Sequence, residues 1–140
     1  MSSPESFDPL ARLPGYALRR AANAMMVELG NRLANEGMRI SEASVVMLIA
    51  ERPGLTSSEI GKILDIQRAN MAPLLNRIEA GGLIRREPID RKSYAIALTA
   101  EGEAKAETVR KVTGKFEADL LARIPAEHRD HFVPALNALW

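Results

Sequence analysis

A mainly α-helical chain carrying one small β-ribbon (α+β) is the fold class that this sequence predicts. Three observations predict it. Hydrophobic residues make up 46% of the 140 residues but aromatics only 4%, so the core must be Leu, Ile, Val, Met and Ala, the residues of helical interiors. Between Leu55 and Gly102, two short helical patterns meet at a tight join, and a Gly-Gly stop, a strand, a charged turn, a second strand and a new helix start follow. Longer helical patterns flank this stretch on both sides. The middle order is that of a winged helix-turn-helix with a two-stranded wing, and the flanks read as what holds two such readers in place.

At 140 residues the chain suits one compact domain with a real core. Nothing in it approaches the run of roughly 18 apolar residues that a membrane helix needs. The N-terminal MSSPESFDPLARLPG lacks a basic start followed by an apolar stretch, so it does not read as a signal peptide. The absence of cysteine excludes disulfides, thiolate metal sites and thiol redox sensing. The expected location is cytoplasmic, with no membrane partner. A net charge of +1 does not announce a nucleic-acid partner, but its distribution is more telling. From Lys62 to Lys92 there are seven basic residues (Lys62, Arg68, Arg77, Arg85, Arg86, Arg91, Lys92) against four acids (Asp65, Glu79, Glu87, Asp90). Residues 101–140 hold six basic and seven acidic residues, so the positive surplus falls inside the central stretch.

Each element has its own signal. Met1 to about Asp8 is polar and should be a frayed end. A first long helix is expected over Leu13 to Asn35, with Pro14 in its first turn and Leu18, Ala21, Ala22, Met25, Leu29 and Leu33 along one side. Gly37 is placed to end it. Ser41 is expected to cap a second helix, Glu42 to Glu51, which is apolar nearly all round and so buried. Thr56-Ser57-Ser58-Glu59 is a capping box, opening a helix that carries Ile60, Ile63 and Leu64. After the join Asp65-Ile66-Gln67, a helix over Arg68 to Ala80 places Met71, Leu74, Leu75 and Ile78 at i, i+3, i+4 and i+7. Gly81-Gly82 ends it. Leu83 to Glu87 is a strand and Pro88 to Lys92 a turn. Ser93 to Leu98 is a second strand, with Tyr94, Ile96 and Leu98 on one side. Thr99 caps a helix over Ala100 to Ile124, whose apolar positions are Ala104, Val109, Val112, Phe116 and Leu120. Pro125 opens a last helix, Ala126 to Leu139, which Pro134 should kink.

The chemistry follows from the faces. With Met71, Leu74, Leu75 and Ile78 turned to the core, Ala69, Asn70, Pro73, Asn76 and Arg77 face outward. That is the surface a recognition helix lays into the major groove of double-stranded DNA. Asn70 and Asn76 can pair with adenine edges, and Arg77 with guanine or phosphate. Ala69 and Pro73 can touch a thymine methyl. Gln67 and Arg68 sit at the helix start, where backbone N–H groups also attract phosphate. Thr56 and Ser57, at the start of the preceding helix, and Arg85, on the first strand, complete the candidate contacts. Pro73 lies past the first turn, so either the helix begins later or a kink shapes the docking face. The tip Asp90-Arg91-Lys92 can place a cation in the minor groove. Asp90 makes sense there if it pairs with Arg91 or Lys92. His128 and His131 are i, i+3 and could share a metal face with Glu127, but such a pair of histidines is more often a surface feature, so neither a metal nor a cofactor is expected. Tyr16, Arg20, Met26 and Met47 are candidates for holding a small effector, the methionines as adaptable lining.

The order L-T-x-x-E-I, L-D-I, R-I-E-A-G-G-L-I-R-R, D-R-K and I-A-L-T-A-E-G resembles the MarR family of bacterial regulators. Its carriers are Leu55, Thr56, Glu59, Ile60, Leu64, Arg77, Ile78, Glu79, Gly82, Leu83, Ile84, Arg85, Asp90, Arg91, Leu98, Thr99 and Gly102. The resemblance implies homodimers joined through the first and last two helices, a pseudo-palindromic operator, repression, and release by a small, often phenolic, ligand. Two residues depart from the pattern. Lys92 stands where the family's wing usually ends in Arg, which loses the bidentate fork and shifts the weight of minor-groove contact to Arg91. Pro73 stands where relatives often carry a polar or basic residue.

The expectation is therefore one domain over 1–140, with a reader over 42–98 and dimerisation helices over 9–36 and 100–140. It is expected to be a sequence-specific DNA-binding regulator and not an enzyme, a repressor released by a small, aromatic effector. A non-specific architectural DNA binder or a winged-helix protein-interaction module is the alternative.

Overall fold

The computed structural model describes residues 8–140, and the end expected to fray lies outside them except for Asp8. The elements run α1 (Pro14–Ala34), α2 (Ile40–Glu51), α3 (Ser57–Leu64), α4 (Arg68–Ala80), β1 (Ile84–Pro88), β2 (Tyr94–Leu98), α5 (Ala100–Arg123) and α6 (Arg129–Asn137). None of the helices is long and apolar enough to cross a membrane.

Local chemistry sets the starts. Pro14 opens α1, where a missing N–H loses no helical bond. The capping box is complete. The Thr56 hydroxyl accepts from the Glu59 amide at 3.2 Å, and the Glu59 carboxylate accepts from the Thr56 amide at 3.1 Å. Thr99 caps α5 by accepting from the Gly102 amide at 3.0 Å. α2 departs from expectation, because it begins at Ile40 with Arg39 as cap and takes Ser41 into its first turn. Its start is held by the Glu42 carboxylate, which accepts from the Arg39 amide at 2.9 Å.

The core gathers around α2, whose Ala43, Val45, Val46 and Ile49 are buried. Leu33 and Met38 close it from the end of α1, and Val109 from α5. On α4, the buried residues are the four that spacing predicts: Met71, Leu74, Leu75 and Ile78. On α5 the buried side is Ala106, Val109 and Phe116, whereas Ala104, expected inward, is exposed.

β1 and β2 pair antiparallel, with Ile84 opposite Leu98, Arg86 opposite Ile96 and Pro88 opposite Tyr94. β1 thus lies one residue later than expected and ends on Pro88, an end position that tolerates a missing N–H. The ribbon is anchored at both ends of the reader. The Leu55 carbonyl accepts from the Ile96 amide at 2.9 Å, and Thr56 bridges Ala95. At the other end the Thr99 hydroxyl donates to the Gly82 carbonyl at 2.6 Å, and the Thr99 amide to that of Leu83 at 3.0 Å. Gly82 takes φ 79°, the left-handed region that favours glycine. A Cβ on Gly102 would sit 1.9 Å from the Leu83 carbonyl oxygen, so this junction closes only on a glycine.

The chain's end is broken up more than its pattern suggests. A single 3₁₀ turn over Ala126–His128 precedes α6, which ends at Asn137. The break thus falls ahead of Arg129, and Pro134 lies inside α6. The Arg129 guanidinium donates to the carbonyls of Ile124 at 2.7 Å and Ala122 at 3.0 Å, closing the end of α5. Nothing on α6 is buried within one protomer, and on α1 only Leu33 is.

Candidate nucleic-acid interface

The join between α3 and α4 is made by Asp65, which takes φ 54° and ψ 48°. Asp is one of the few side chains that tolerates this left-handed conformation. The two helices approach closely at Gly61, where a Cβ would lie 3.1 Å from Met71 Cγ and 3.3 Å from the Ile66 carbonyl. This packing turns the other side of α4 outward, and Ala69, Asn70, Pro73, Asn76 and Arg77 are all exposed. Pro73 is the sixth residue of a helix that runs from Arg68 to Ala80. A start after Pro73 is thus ruled out, and the Ala69 carbonyl has lost its helical donor.

Gln67 caps α4 through its backbone, with no side-chain bond to the helix. An open concavity of ≈ 800 Å³ between α3 and α4 is lined by residues including Ser57, Ser58, Lys62 and Arg68. Thr56 is engaged by Glu59 through both its amide and its hydroxyl. These same bonds, the backbone one first, hold the Glu59 carboxyl below the usual carboxylate range.

The wing corrects one expectation. Asp90 makes no ion pair with Arg91 or Lys92. Its Oδ1 accepts from the Lys92 amide at 2.8 Å, the Ser93 amide at 2.9 Å and the Ser93 hydroxyl at 2.9 Å. Those bonds, the Lys92 amide first, lower the Asp90 pKa. Asp90 is therefore a turn-former that folds the tip, and it leaves the Arg91 and Lys92 side chains exposed.

The two strand arginines divide as strand alternation dictates. Arg85 points away from α4. Its Nη1 donates to the Leu98 carbonyl at 2.9 Å, and its Nη2 to Glu87 at 2.8 Å. It is thus held along the ribbon by these two bonds while its side chain stays 56% exposed. Arg86, which no candidate set included, reaches α4: its Nη2 donates to Asn76 Oδ1 at 2.8 Å and its Nε to Glu79 at 3.2 Å. It lies two positions after the buried Ile84 and so on the same side of the strand.

Of the four effector candidates, Tyr16, Arg20 and Met26 lie on α1, with Tyr16 and Arg20 one turn apart, and Met47 lies on α2. The Tyr16 hydroxyl donates to the Asp8 carboxylate, which raises the phenol's pKa and lowers that of Asp8. The Arg19 guanidinium lies 5.4 Å from the Tyr16 ring centre. Arg20 and Met26 are exposed, and Met47 is half-buried against the core. Neither the α3–α4 concavity nor a smaller one of ≈ 280 Å³ between the end of α2 and the ribbon includes any of the four. His128 and His131 are exposed, and among the described residues no three His, Cys, Asp or Glu side chains cluster closely enough to hold a metal.

Comparison with known proteins agrees with this geometry. The MarR family profile matches residues 36–92. The transcriptional regulator HosA of Escherichia coli O157:H7 is 30% identical over 98 residues, covering 69% of this chain and 73% of HosA. The transcriptional repressor CouR, solved bound to a 23-mer DNA duplex, superposes with TM-score 0.84 at 29% identity over 93% of this chain and 94% of CouR. CouR has also been solved with p-coumaroyl-CoA, at TM-score 0.84 and 26% identity over 96% of each chain. The Mycobacterium tuberculosis MarR family protein Rv2887, solved with salicylic acid, matches at TM-score 0.71 and 26% identity over 97% of this chain and 99% of that one. A buried-faced α4 beside a tethered wing, a matching profile across that reader and an aligned repressor on DNA lead to one conclusion: the chain belongs to the MarR family of transcriptional regulators.

Proposed function

We propose that the chain is a sequence-specific DNA-binding regulator, working as a homodimer on a pseudo-palindromic operator. We further infer that it is a repressor released by a small aromatic effector. The observation that carries the reading is the exposed Ala69–Arg77 face of α4, set beside a basic wing tip. In this arrangement α4 enters a major groove. Asn70 and Asn76 read base edges, Arg77 takes guanine or phosphate, and Ala69 and Pro73 allow close approach. Ser57, Gln67 and Arg68 meet phosphates at the helix starts. Arg91 enters the minor groove, with Lys92 on the adjoining backbone. Residues 42–98 form the reader, and 9–36 and 100–140 pair two protomers. The reaction partners are DNA and effector, so no catalytic set is assigned and the cytoplasm is the compartment that suits the role.

The CouR complex with p-coumaroyl-CoA and the Rv2887 complex with salicylic acid support an aromatic acid or its thioester as effector. Tyr16, Arg20, Met26 and Met47 would line its site only once a second protomer completes it.

Fluorescence anisotropy with DNA upstream of the protein's own gene, over a range of salt, tests this. Specific sites should bind about 10³-fold or more tighter than random duplex. A flat affinity with a steep salt slope would make the protein an architectural binder, and no binding would make it an interaction module. A thermal-shift screen of aromatic acids and their CoA thioesters, followed by operator release, tests the effector.

A further inference from the structure

We infer that Arg86 is a positioning residue that makes Asn76 read DNA as a hydrogen-bond donor, so that the base facing Asn76 must present an acceptor. The inference rests on the proposal that α4 enters the major groove.

The placement is set by two periodicities. Arg86 follows the buried Ile84 by two positions on β1, and so shares its helix-facing side. Asn76 and Glu79 are three apart on α4, and so lie side by side. One planar guanidinium joins all three, through Nη2 to Asn76 Oδ1 at 2.8 Å and Nε to Glu79 Oε2 at 3.2 Å. A rigid fork held at two points has little freedom left. Glu79 also offsets the Arg86 charge, which keeps the guanidinium from being a loose phosphate clamp.

The consequence falls on Asn76. It is exposed, on the outward face of α4 at the edge nearest the wing. A free asparagine amide pairs best with adenine, accepting from N6 and donating to N7. Here the carbonyl end is turned to the wing and taken, so the Nδ2 donor is the end left for the groove. Guanine O6 and N7, adenine N7 and thymine O4 can all accept from it, whereas cytosine offers only its N4 donor. The wing thereby sets base preference at a position that it does not itself touch.

The test compares wild type, Asn76→Ala, Arg86→Ala, Arg86→Lys and the double alanine variant by anisotropy. Each is measured on the operator and on single-base substitutions across one half-site. Asn76→Ala should abolish discrimination of about fivefold or more against cytosine at one position. Arg86→Ala should shift preference at that same position towards adenine and leave the other positions unchanged. Arg86→Lys should behave like Arg86→Ala, because an ammonium cannot hold both partners in one plane. The double variant should match Asn76→Ala within about twofold, as coupled residues do. If Arg86→Ala weakens all operator variants by one factor and lowers the salt slope by about 1, Arg86 is a phosphate contact and the inference is wrong. It is equally wrong if the base preference at the Asn76 position does not move. Should Arg86→Ala fail to fold by circular dichroism, Arg86→Gln and Glu79→Ala take its place: removing the fork or its second anchor must move preference at the Asn76 position in the same direction, and its absence in both overturns the assignment. Failure of wild type to discriminate any sequences would instead sink the DNA-reader proposal itself.

Discussion

An acid at the tip of a basic wing is an electrostatic misfit that its hydrogen bonds resolve. Asp90 directs one oxygen at two amides and a hydroxyl, and so folds the tip that displays Arg91 and Lys92. Two accounts of Asp90 then predict opposite outcomes. If it acted mainly as a negative charge, Asp90→Ala would strengthen DNA binding. If it shapes the turn, the same change should weaken binding several-fold while leaving the melting of the helical core nearly unchanged. Anisotropy with a parallel thermal melt separates the two. The pH dependence has a definite sign. The folded-state pKa of Asp90 lies below its ordinary value of 3.8. Its contribution to the tip is therefore complete above that value and is lost as pH falls through the lowered one. Residue-level legibility was uneven for a reason that Arg85 and Arg86 expose. Both are basic, adjacent and on a strand, and charge counting cannot rank them. Their roles are set by which face of the ribbon meets α4, which is a tertiary fact. The α4 face was legible because helical spacing alone divides Met71, Leu74, Leu75 and Ile78 from Ala69, Asn70, Asn76 and Arg77.

Elements are held here by junctions more than by propensity. The wing enters α5 through a close approach of Gly102 to the Leu83 carbonyl, with a would-be Cβ at 1.9 Å. Gly102→Ala must push that backbone aside, an overpacking cost of about 1–3 kcal/mol or more. Urea denaturation should show that loss, and DNA affinity should fall with it because α5 and the wing share the junction. Pro73 predicts a gain. Restoring an N–H to the Ala69 carbonyl in mid-helix should stabilise α4 by up to about 3 kcal/mol. Pro73→Ala should therefore raise the unfolding midpoint while altering base preference, since Pro73 is exposed on the face proposed to read DNA. A fall in stability would show that the proline's fixed φ contributes more than the missing bond. Element boundaries shifted from expectation where two capping solutions competed. Ser41 is a good cap by type, but Glu42 can hold the Arg39 amide, and that choice starts α2 earlier. At the C-terminus, Arg129 closing the end of α5 replaces one long helix with a turn and a short one.

At the scale of the whole molecule, the reader is complete and its supports are not. α1 and α5 are laced together by Arg32, which meets Glu28 at 2.8 Å and Asp119 at 3.0 Å and lies 5.3 Å from the Phe116 ring centre. Arg123 adds a bond to Glu28 at 2.9 Å. Side chains thus tie the two helices together at two places along their length. Yet both helices leave some large apolar side chains outward among charged ones, with Val27 65% and Leu121 41% exposed, and α6 leaves Val133 55% exposed. On α1 and α6, which bury one residue and none within a single protomer, exposed apolar side chains of this size call for a second protomer. Val133→Asp tests it without disturbing the single protomer, since that side chain packs little within one chain. In a dimer the new carboxylate would be buried without a partner, at a cost of about 3 kcal/mol or more, or roughly a hundredfold in the dimer dissociation constant. Sedimentation velocity over a concentration series should show wild type as dimer and the variant shifted towards monomer, with far-UV circular dichroism unchanged. Binding to a full operator should collapse towards that of a single half-site, because two recognition helices gain affinity only when held about one helical turn of DNA apart. A variant that stays dimeric, or a wild type that binds half-sites as tightly as the full operator, would show that α1, α5 and α6 have a different use.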